Sequence, residues 1–301
     1  MSTLFLINPG SGRKRDAEQT EALIREIYSQ ADRSVHIKKI DFERLDATLD
    51  EAEALGIQNV FAVGGDGTVN AIGAKMRYRN LQLGIIPKGS GNGYARNLGY
   101  SVNSRLAIRQ SLDARTISVD TGMMNDVPFL NVAGVGLDAE VAHAFSLGKT
   151  RGFAPYVRRS AEGLLQLQPQ DYELIIDGET HHFEKIIGIA IANGTQWGYD
   201  VKVNAHASLN DGFFDLLVVR KFPLVKTALI VSKMFGGRLQ DSSYVKVFRA
   251  KNIQIKRAEA GYAQVDGEPF ETGTDITVEI LENSLKLLLP NTLTEQKIQS
   301  L

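Results

Sequence analysis

The chain of 301 residues contains no cysteine. Disulfides, thiolate catalysis and cysteine-based zinc or iron–sulfur centres are therefore excluded, and a cytoplasmic location fits. Net charge is nearly absent as well: 34 Lys+Arg stand against 35 Asp+Glu, a balance of -1. A surface built to coat nucleic acid is not expected, and no nucleic-acid partner is assigned, although net charge says nothing about local patches. No apolar run approaches the length of a membrane span. The first residues, Met1-Ser2-Thr3-Leu4-Phe5-Leu6-Ile7, lack the basic start and long apolar core of a signal peptide. Any contact with a membrane is expected to be peripheral. The histidines His36, His143, His181, His182 and His206 show no metal-ligand spacing and read as structural or surface residues. No Gly-x-Ser-x-Gly elbow supports serine hydrolase chemistry.

What is present is a strand–loop–helix rhythm in the first half. A hydrophobic fraction of 43% supplies sizeable cores, and the length allows about two domains. Strands are expected at 4–7, 35–40, 59–63 and 83–86, and helices at 16–31, 45–55, 68–79 and 104–112, which implies a parallel sheet covered on both faces. Three of these strands end in loops poor in side chains. The first is Asn8-Pro9-Gly10-Ser11-Gly12, which is not a Walker A loop because no Gly-Lys-Ser/Thr follows. The second is Gly64-Gly65-Asp66-Gly67, running into Thr68-Val69-Asn70. The third is Pro87-Lys88-Gly89-Ser90-Gly91-Asn92-Gly93. Glycine permits close backbone approach, and a helix start offers unpaired N–H groups to an anion. Ligands of open α/β sheets bind outside the carboxyl ends of the strands, so the three loops are expected to converge on one nucleotide phosphate site. Lys88 and Arg96 are candidates to neutralise phosphate charge.

Beyond about residue 125 the texture becomes β-rich. After a strand expected at 115–123, which precedes the change, strands are expected at 129–135, 172–176, 180–183, 186–192, 213–219, 246–248, 252–256, 263–265, 276–280 and 284–289, with a helical region over 141–167. Asp177-Gly178 is a hairpin signal. The reading is an α/β domain over 1–125, a sandwich or barrel-like domain over 126–290, and a tail, 291–301, able to pack back on the first domain. Two acid pairs stand in turns: Asp211 with Asp215, and Asp266 with Glu268. Oxygen-rich turns suit a hard cation such as Mg²⁺, but each stretch taken alone reads as a plain hairpin turn with solvated acids. Residues 222–239 carry Leu224, Ala228, Val231 and Phe235 near helical spacing, with Lys221, Lys226, Lys233 and Arg238 nearby. This is a basic amphipathic helix for an anionic interface, or a helix packed on the second domain.

Together these motifs resemble the diacylglycerol kinase catalytic-domain family of lipid kinases, in particular its bacterial YegS/DgkB-like members, which are related to sphingosine and ceramide kinases. The resemblance is carried by the three loops, by Ala95-Arg96, by Asn131 with Gly136-Leu137-Asp138, by Asp211-Gly212 with Asp215, and by Asp266-Gly267-Glu268. It spans nearly the whole chain in the family's order. It implies an N-terminal α/β domain of the NAD-kinase/diacylglycerol-kinase type and a C-terminal β-sandwich, with the active site in the cleft between them. It also implies transfer of the γ-phosphoryl group of ATP to a lipid hydroxyl presented by a membrane surface. ATP is expected along Asn8, Pro9, Gly10, Ser11, Gly12, Gly64, Gly65, Asp66, Gly67, Thr68, Asn70, Gly89, Ser90 and Asn92. A metal, expected as Mg²⁺, matches Asp211 with the backbone oxygens of Ser208 and Phe213. The proton acceptor matches Glu268, then Asp266, with Asp66 an alternative. Gly93 stands where many bacterial diacylglycerol kinases carry an acid. That leaves diacylglycerol and a sphingoid or related alcohol both open as substrates. An NAD-kinase-like enzyme, a weakly catalytic nucleotide- or lipid-binding regulator, and assembly as a homodimer also stay open.

Overall fold

A computed structural model describes residues 2–12, 16–147, 163 and 168–292. Most of the helical region expected over 141–167, and the tail from residue 293, lie outside the described residues. The chain divides into two compact units, Met1–Val119 with Asn283–Leu301, and Asp120–Glu282. Among the described residues no helix is long and apolar enough to cross a membrane.

The first unit is a parallel α/β sheet. Strands β1 (Thr3–Ile7), β2 (Val35–Lys39), β3 (Asn59–Gly64) and β4 (Gln82–Pro87) lie in the order β2-β1-β3-β4. Every residue of β1 is buried, and so is all of β3 and β4 after the first residue. Such unbroken burial requires cover on both faces of the sheet. Phe5 stacks on Phe61 at 5.1 Å between ring centroids, and Tyr28 meets Phe5 edge-on at 5.2 Å. Tyr28 belongs to helix α1 (Asp16–Gln30), whose buried Ile24, Ile27 and Tyr28 form one stripe at helical spacing. Helices α2 (Leu45–Ala54) and α3 (Asp66–Met76) follow. Helix α3 starts two residues before the expected 68, because Val69 N already donates to Gly65 O and draws Asp66 into the first turn. Helices α4 (Gly93–Asn97) and α5 (Ser104–Leu112) complete this part. The Asn103 side chain caps α5 by accepting from Leu106 N at 3.2 Å.

The second unit is an antiparallel β-sandwich. Strand β5 (Ala114–Met124) leads into β6 (Val127–Phe129), β7 (Val132–Gly136) and helix α6 (Leu137–Ser146). Strands β8 (Gln170–Ile176) and β9 (Glu179–Ala192) form a hairpin in which Asp177 and Gly178 both have positive φ, the backbone a two-residue right-twisted hairpin requires. The sequence divides 180–192 into two strands, but β9 is continuous, with a left-handed Lys185 at the irregularity. Its first half pairs with β8, and its second half lies between β7 and β12 (Phe214–Arg220). Side chains alternate to two cores: Ile189, Leu216 and Val218 enter one, Ile187, Ala190 and Leu217 the other. Short strands β10 (Gln196–Gly198) and β11 (Val201–Lys202) come before β12. After it come helix α7 (Thr227–Phe235), then β13 (Val245–Ala250), β14 (Asn252–Arg257), β15 (Gly261–Val265) and β16 (Glu268–Thr272). Strand β16 carries Pro269 and pairs with β15 only among the described residues, an edge position that tolerates proline and hides the strand from a periodicity reading. The last strand, β17 (Asp275–Pro290), is one element where the sequence suggests two. Its start pairs with β14, and its end returns to the first unit, parallel to β4.

Candidate active site

On the first unit the three loops meet, as the sequence implies. Loop one is tied to loop two by Asn8, whose Nδ2 donates to Thr68 Oγ1 at 2.8 Å while its Oδ1 accepts Gly10 N at 2.9 Å. Loop two is tied to loop three by backbone. Lys88 N donates to Gly64 O at 2.7 Å, and a Cβ on Gly89 would fall 2.6 Å from the Gly65 Cα. Only glycine allows two main chains so close. Loop three is closed on itself by Asn92, in the left-handed region, which accepts Gly89 N and donates to Gly89 O, each at 2.8 Å. Asp66 opens α3, and its Oδ1 accepts Tyr94 N at 3.2 Å, the backbone N–H at the start of α4. The carboxylate is thus fixed between two helix N-termini. Pro9, Gly10, Gly12 and Ser90 lie on the surface; Ser11, Gly67, Asn70 and Gly89 are half-buried. Lys88 is half-buried, and burial holds its ammonium below the ordinary range, against a weaker pull from Asp16. Arg96 braces loop three, Nε to Gly91 O at 3.2 Å.

On the second unit the acids of the β15–β16 turn separate into two environments. Asp266 accepts three backbone N–H groups: Asn131 and Val132 on Oδ1, both at 2.9 Å, and Leu130 on Oδ2 at 2.8 Å. It is a clamp on the segment before β7. Glu268 is exposed at the first position of β16. The hairpin is held from beneath by buried Arg257, which donates to the carbonyls of Gly261, Tyr262, Thr272 and Gly273.

The Asp211 loop is organised by a residue the sequence reading passed over. Asp120, only 1% exposed, accepts Gly212 N on Oδ2 at 2.8 Å, and its own N–H donates to Leu209 O at 2.6 Å. Fully buried Asn193 joins Asp120 to the clamp by donating to Asp120 O and Leu130 O. Asp211 Oδ2 is bridged to Arg249 at 2.6 Å, and Oδ1 accepts Phe213 N at 3.1 Å. Ser208 Oγ lies 3.1 Å from Asn210 Oδ1. Burial raises the Asp215 carboxyl, Arg249 opposes this, and the neighbouring Asp211 adds to it. The donor set is entirely oxygen, so it fits a hard cation in kind. With Arg249 in place, however, a guanidinium neutralises Asp211.

Asp138, in the first turn of α6, accepts Trp197 Nε1 at 3.1 Å and Gln264 Nε2 at 2.6 Å on one oxygen. The residue keeps some exposure, yet its carboxyl is walled in, and burial pushes it up to about 6. Gln264 also accepts Gly267 N at 2.8 Å, which couples Asp138 to the Asp266–Glu268 turn. Asp138 was legible as a motif residue. Its partners Trp197 and Gln264, like Asp120 and Asn193, come from distant strands with no local signature.

Two family models cover the chain. The diacylglycerol kinase catalytic domain matches residues 2–124, and the YegS C-terminal NAD kinase beta sandwich-like domain matches residues 131–289. A diacylglycerol kinase of Bacillus subtilis is 26% identical over 271 residues, 88% of each chain. A probable lipid kinase YegS-like protein of Chromohalobacter salexigens is 30% identical over 229 residues, 73% of this chain and 72% of the other. Among solved structures, a diacylglycerol kinase from Bacillus anthracis superposes with a TM-score of 0.71 at 19% identity, covering 97% of this chain and 98% of that one. An NAD kinase from Archaeoglobus fulgidus in complex with ATP gives 0.53 at 13% identity over both full chains. At these identities the two structures show the fold alone.

Proposed function

The chain belongs to the diacylglycerol kinase/YegS-like family of lipid kinases, and we propose that it transfers the γ-phosphoryl group of ATP to the hydroxyl of a membrane lipid, diacylglycerol or a sphingoid-type alcohol. One observation carries the reading: three glycine-rich loops at the carboxyl ends of β1, β3 and β4 are locked to one another around Asp66. Phosphoryl transfer asks for positioning and charge neutralisation more than for covalent chemistry. Backbone N–H groups at the start of α3, with Lys88 beside them, receive phosphate oxygens without reorganising. Asp66 is the carboxylate held at that site, and it orients or accepts the acceptor's proton. Glu268 is the second candidate for that proton, being the acid of its turn not engaged in clamping backbone. Asp266 acts through position, by fixing residues 130–132. Ser208, Asp211 and the Phe213 carbonyl would hold Mg²⁺ after Arg249 releases Asp211. Bound there, the ion would supply positive charge and order to the loop. The enzyme works in the cytoplasm and reaches its lipid by transient contact with a membrane surface.

The direct test offers labelled ATP, with Mg²⁺, to a panel of lipid alcohols in mixed micelles, and to NAD. Phosphorylated lipid is expected. Phosphorylated NAD without lipid product would replace this reading with a soluble-metabolite kinase. ATP binding without any turnover would leave a regulator.

A further inference from the structure

The segment after β12 buries little of what it could. Helix α7 has a single buried residue, Ile230. With Phe222 and Leu239 on either side, Ile230 packs into the second-unit core that includes Leu217 and Ala190. Met234 is partly buried against the same core, but five large apolar side chains of the segment turn outward: Leu224 is 58% exposed, Val225 87%, Leu229 49%, Val231 41% and Phe235 42%. The described residues hold eleven exposed large hydrophobics in all, so five of them crowd into twelve positions here. Scattered exposed apolar residues need no explanation, whereas a concentrated patch marks an interaction surface.

The charge around the patch chooses the partner. Residues 220–241 contain Arg220, Lys221, Lys226, Lys233 and Arg238 against one acid, Asp241. Lys233 Nζ is 2.6 Å from the carbonyl of Asp241 and does not pair with its carboxylate there. Beside the patch lies an open concavity of about 650 Å³ lined by His182, Glu184, Lys185, Arg220, Lys221 and Pro223, among others. Its cations outnumber its one acid. It forms where the left-handed Lys185 turns β9, and Lys221 N donates to Lys185 O at 2.9 Å to fix the rim. Apolar side chains projecting between cations, in a chain that is neutral overall, are complementary to an anionic bilayer: hydrocarbon for the tips, phosphate for the rim.

We infer that Leu224, Val225 and Leu229, rimmed by Lys185, Arg220, Lys221 and Lys226, form the face by which the second unit docks on anionic lipid bilayers. The choice of a bilayer over another occupant rests on the lipid-kinase reading, since the substrate of such an enzyme resides there. Each basic residue near an anionic surface is worth about fivefold in partition. Two charge reversals at the rim therefore reduce binding by well over an order of magnitude.

The test uses the full chain without ATP or lipid alcohol, sedimented with phosphatidylcholine vesicles with and without phosphatidylglycerol. The parent chain is expected to pellet with the anionic vesicles, to bind the neutral ones weakly, and to be released by salt. Leu224→Ser/Val225→Ser and Lys221→Glu/Lys226→Glu should each bind roughly tenfold or more weakly, with unchanged thermal midpoints. A Val225→Trp variant, read by quenching from brominated phosphatidylcholine in anionic vesicles, should be quenched beyond the parent's Trp197. Absence of binding by the parent chain, unaltered binding by both double variants, or no added quenching at position 225 would overturn the assignment. So would a fall in solution mass of the variants with vesicle binding intact, which would give this face to a second copy. Because the assay contains no ATP, a failed kinase reading leaves its outcome intact. Turnover on short-chain lipid alcohols in neutral micelles, expected to be equal in parent and variants, separates the two in the other direction.

Discussion

Four acids of the same motif set, Asp66, Asp138, Asp266 and Glu268, differ in their immediate partners. Asp66 accepts Tyr94 N at 3.2 Å where the glycine-rich loops meet. Asp66→Asn keeps a side-chain oxygen for Tyr94, so the thermal midpoint should hold while kcat falls by about two to four orders of magnitude, the span expected for losing a positioned acid–base group. Asp266→Ala is expected to behave oppositely. It strips three backbone N–H groups of their acceptor, and chemical denaturation should show a loss of about 3 kcal/mol or more, since bonds to charged groups contribute about 1.5–3 kcal/mol each and are not additive. Glu268→Gln should leave that denaturation midpoint unchanged. Asp138 gives a pH signature. Its carboxyl moves from an ordinary 3.8 to about 6 through burial. Between those values the folded chain holds a proton that the unfolded chain has released, so stability falls as pH rises through that window and is level above it. Denaturation midpoints measured from acid to neutral pH should show this fall in the parent chain, and Asp138→Asn should flatten it.

At the scale of elements, the loops function as a unit because their main chains touch. Gly89→Ala places a Cβ 2.6 Å from the Gly65 Cα. The loops must then part, at a cost of about 1–3 kcal/mol, and ATP affinity measured by calorimetry should drop at least about tenfold. The Asp211 loop depends on Asp120 and Asn193 as much as on its own residues. Asp211→Ala should lower activity and shift the Mg²⁺ titration to higher concentration; an unshifted titration would remove the metal from this loop. Both loop systems show how far the sequence could be read. Strand ends followed by glycine and a helix start are local signals, so loops at Asn8, Gly64 and Gly89 were legible, and the parallel order of their strands brought them together. The clamp was not legible, because Asp266 meets residues 130–132 across more than a hundred positions of chain. Strand β16 was hidden by Pro269, and β9 and β17 were read as broken where they bend or carry polar residues.

For the whole molecule, the first unit carries the three glycine-rich loops and the second carries the turn acids, the Asp211 loop and the basic apolar face of α7. Near-neutral net charge says nothing of that face, because its excess cations are offset elsewhere in the chain. Family membership supplies the reaction class, and the locked loops around Asp66 supply its physical basis. The decisive measurement follows label from γ-labelled ATP into the organic phase, using lipid alcohols in mixed micelles, for the parent chain and Asp66→Asn side by side. A labelled lipid phosphate is expected from the parent chain and almost none from the variant. Label that stays with water-soluble products, or a variant as active as the parent, would contradict the lipid-kinase reading.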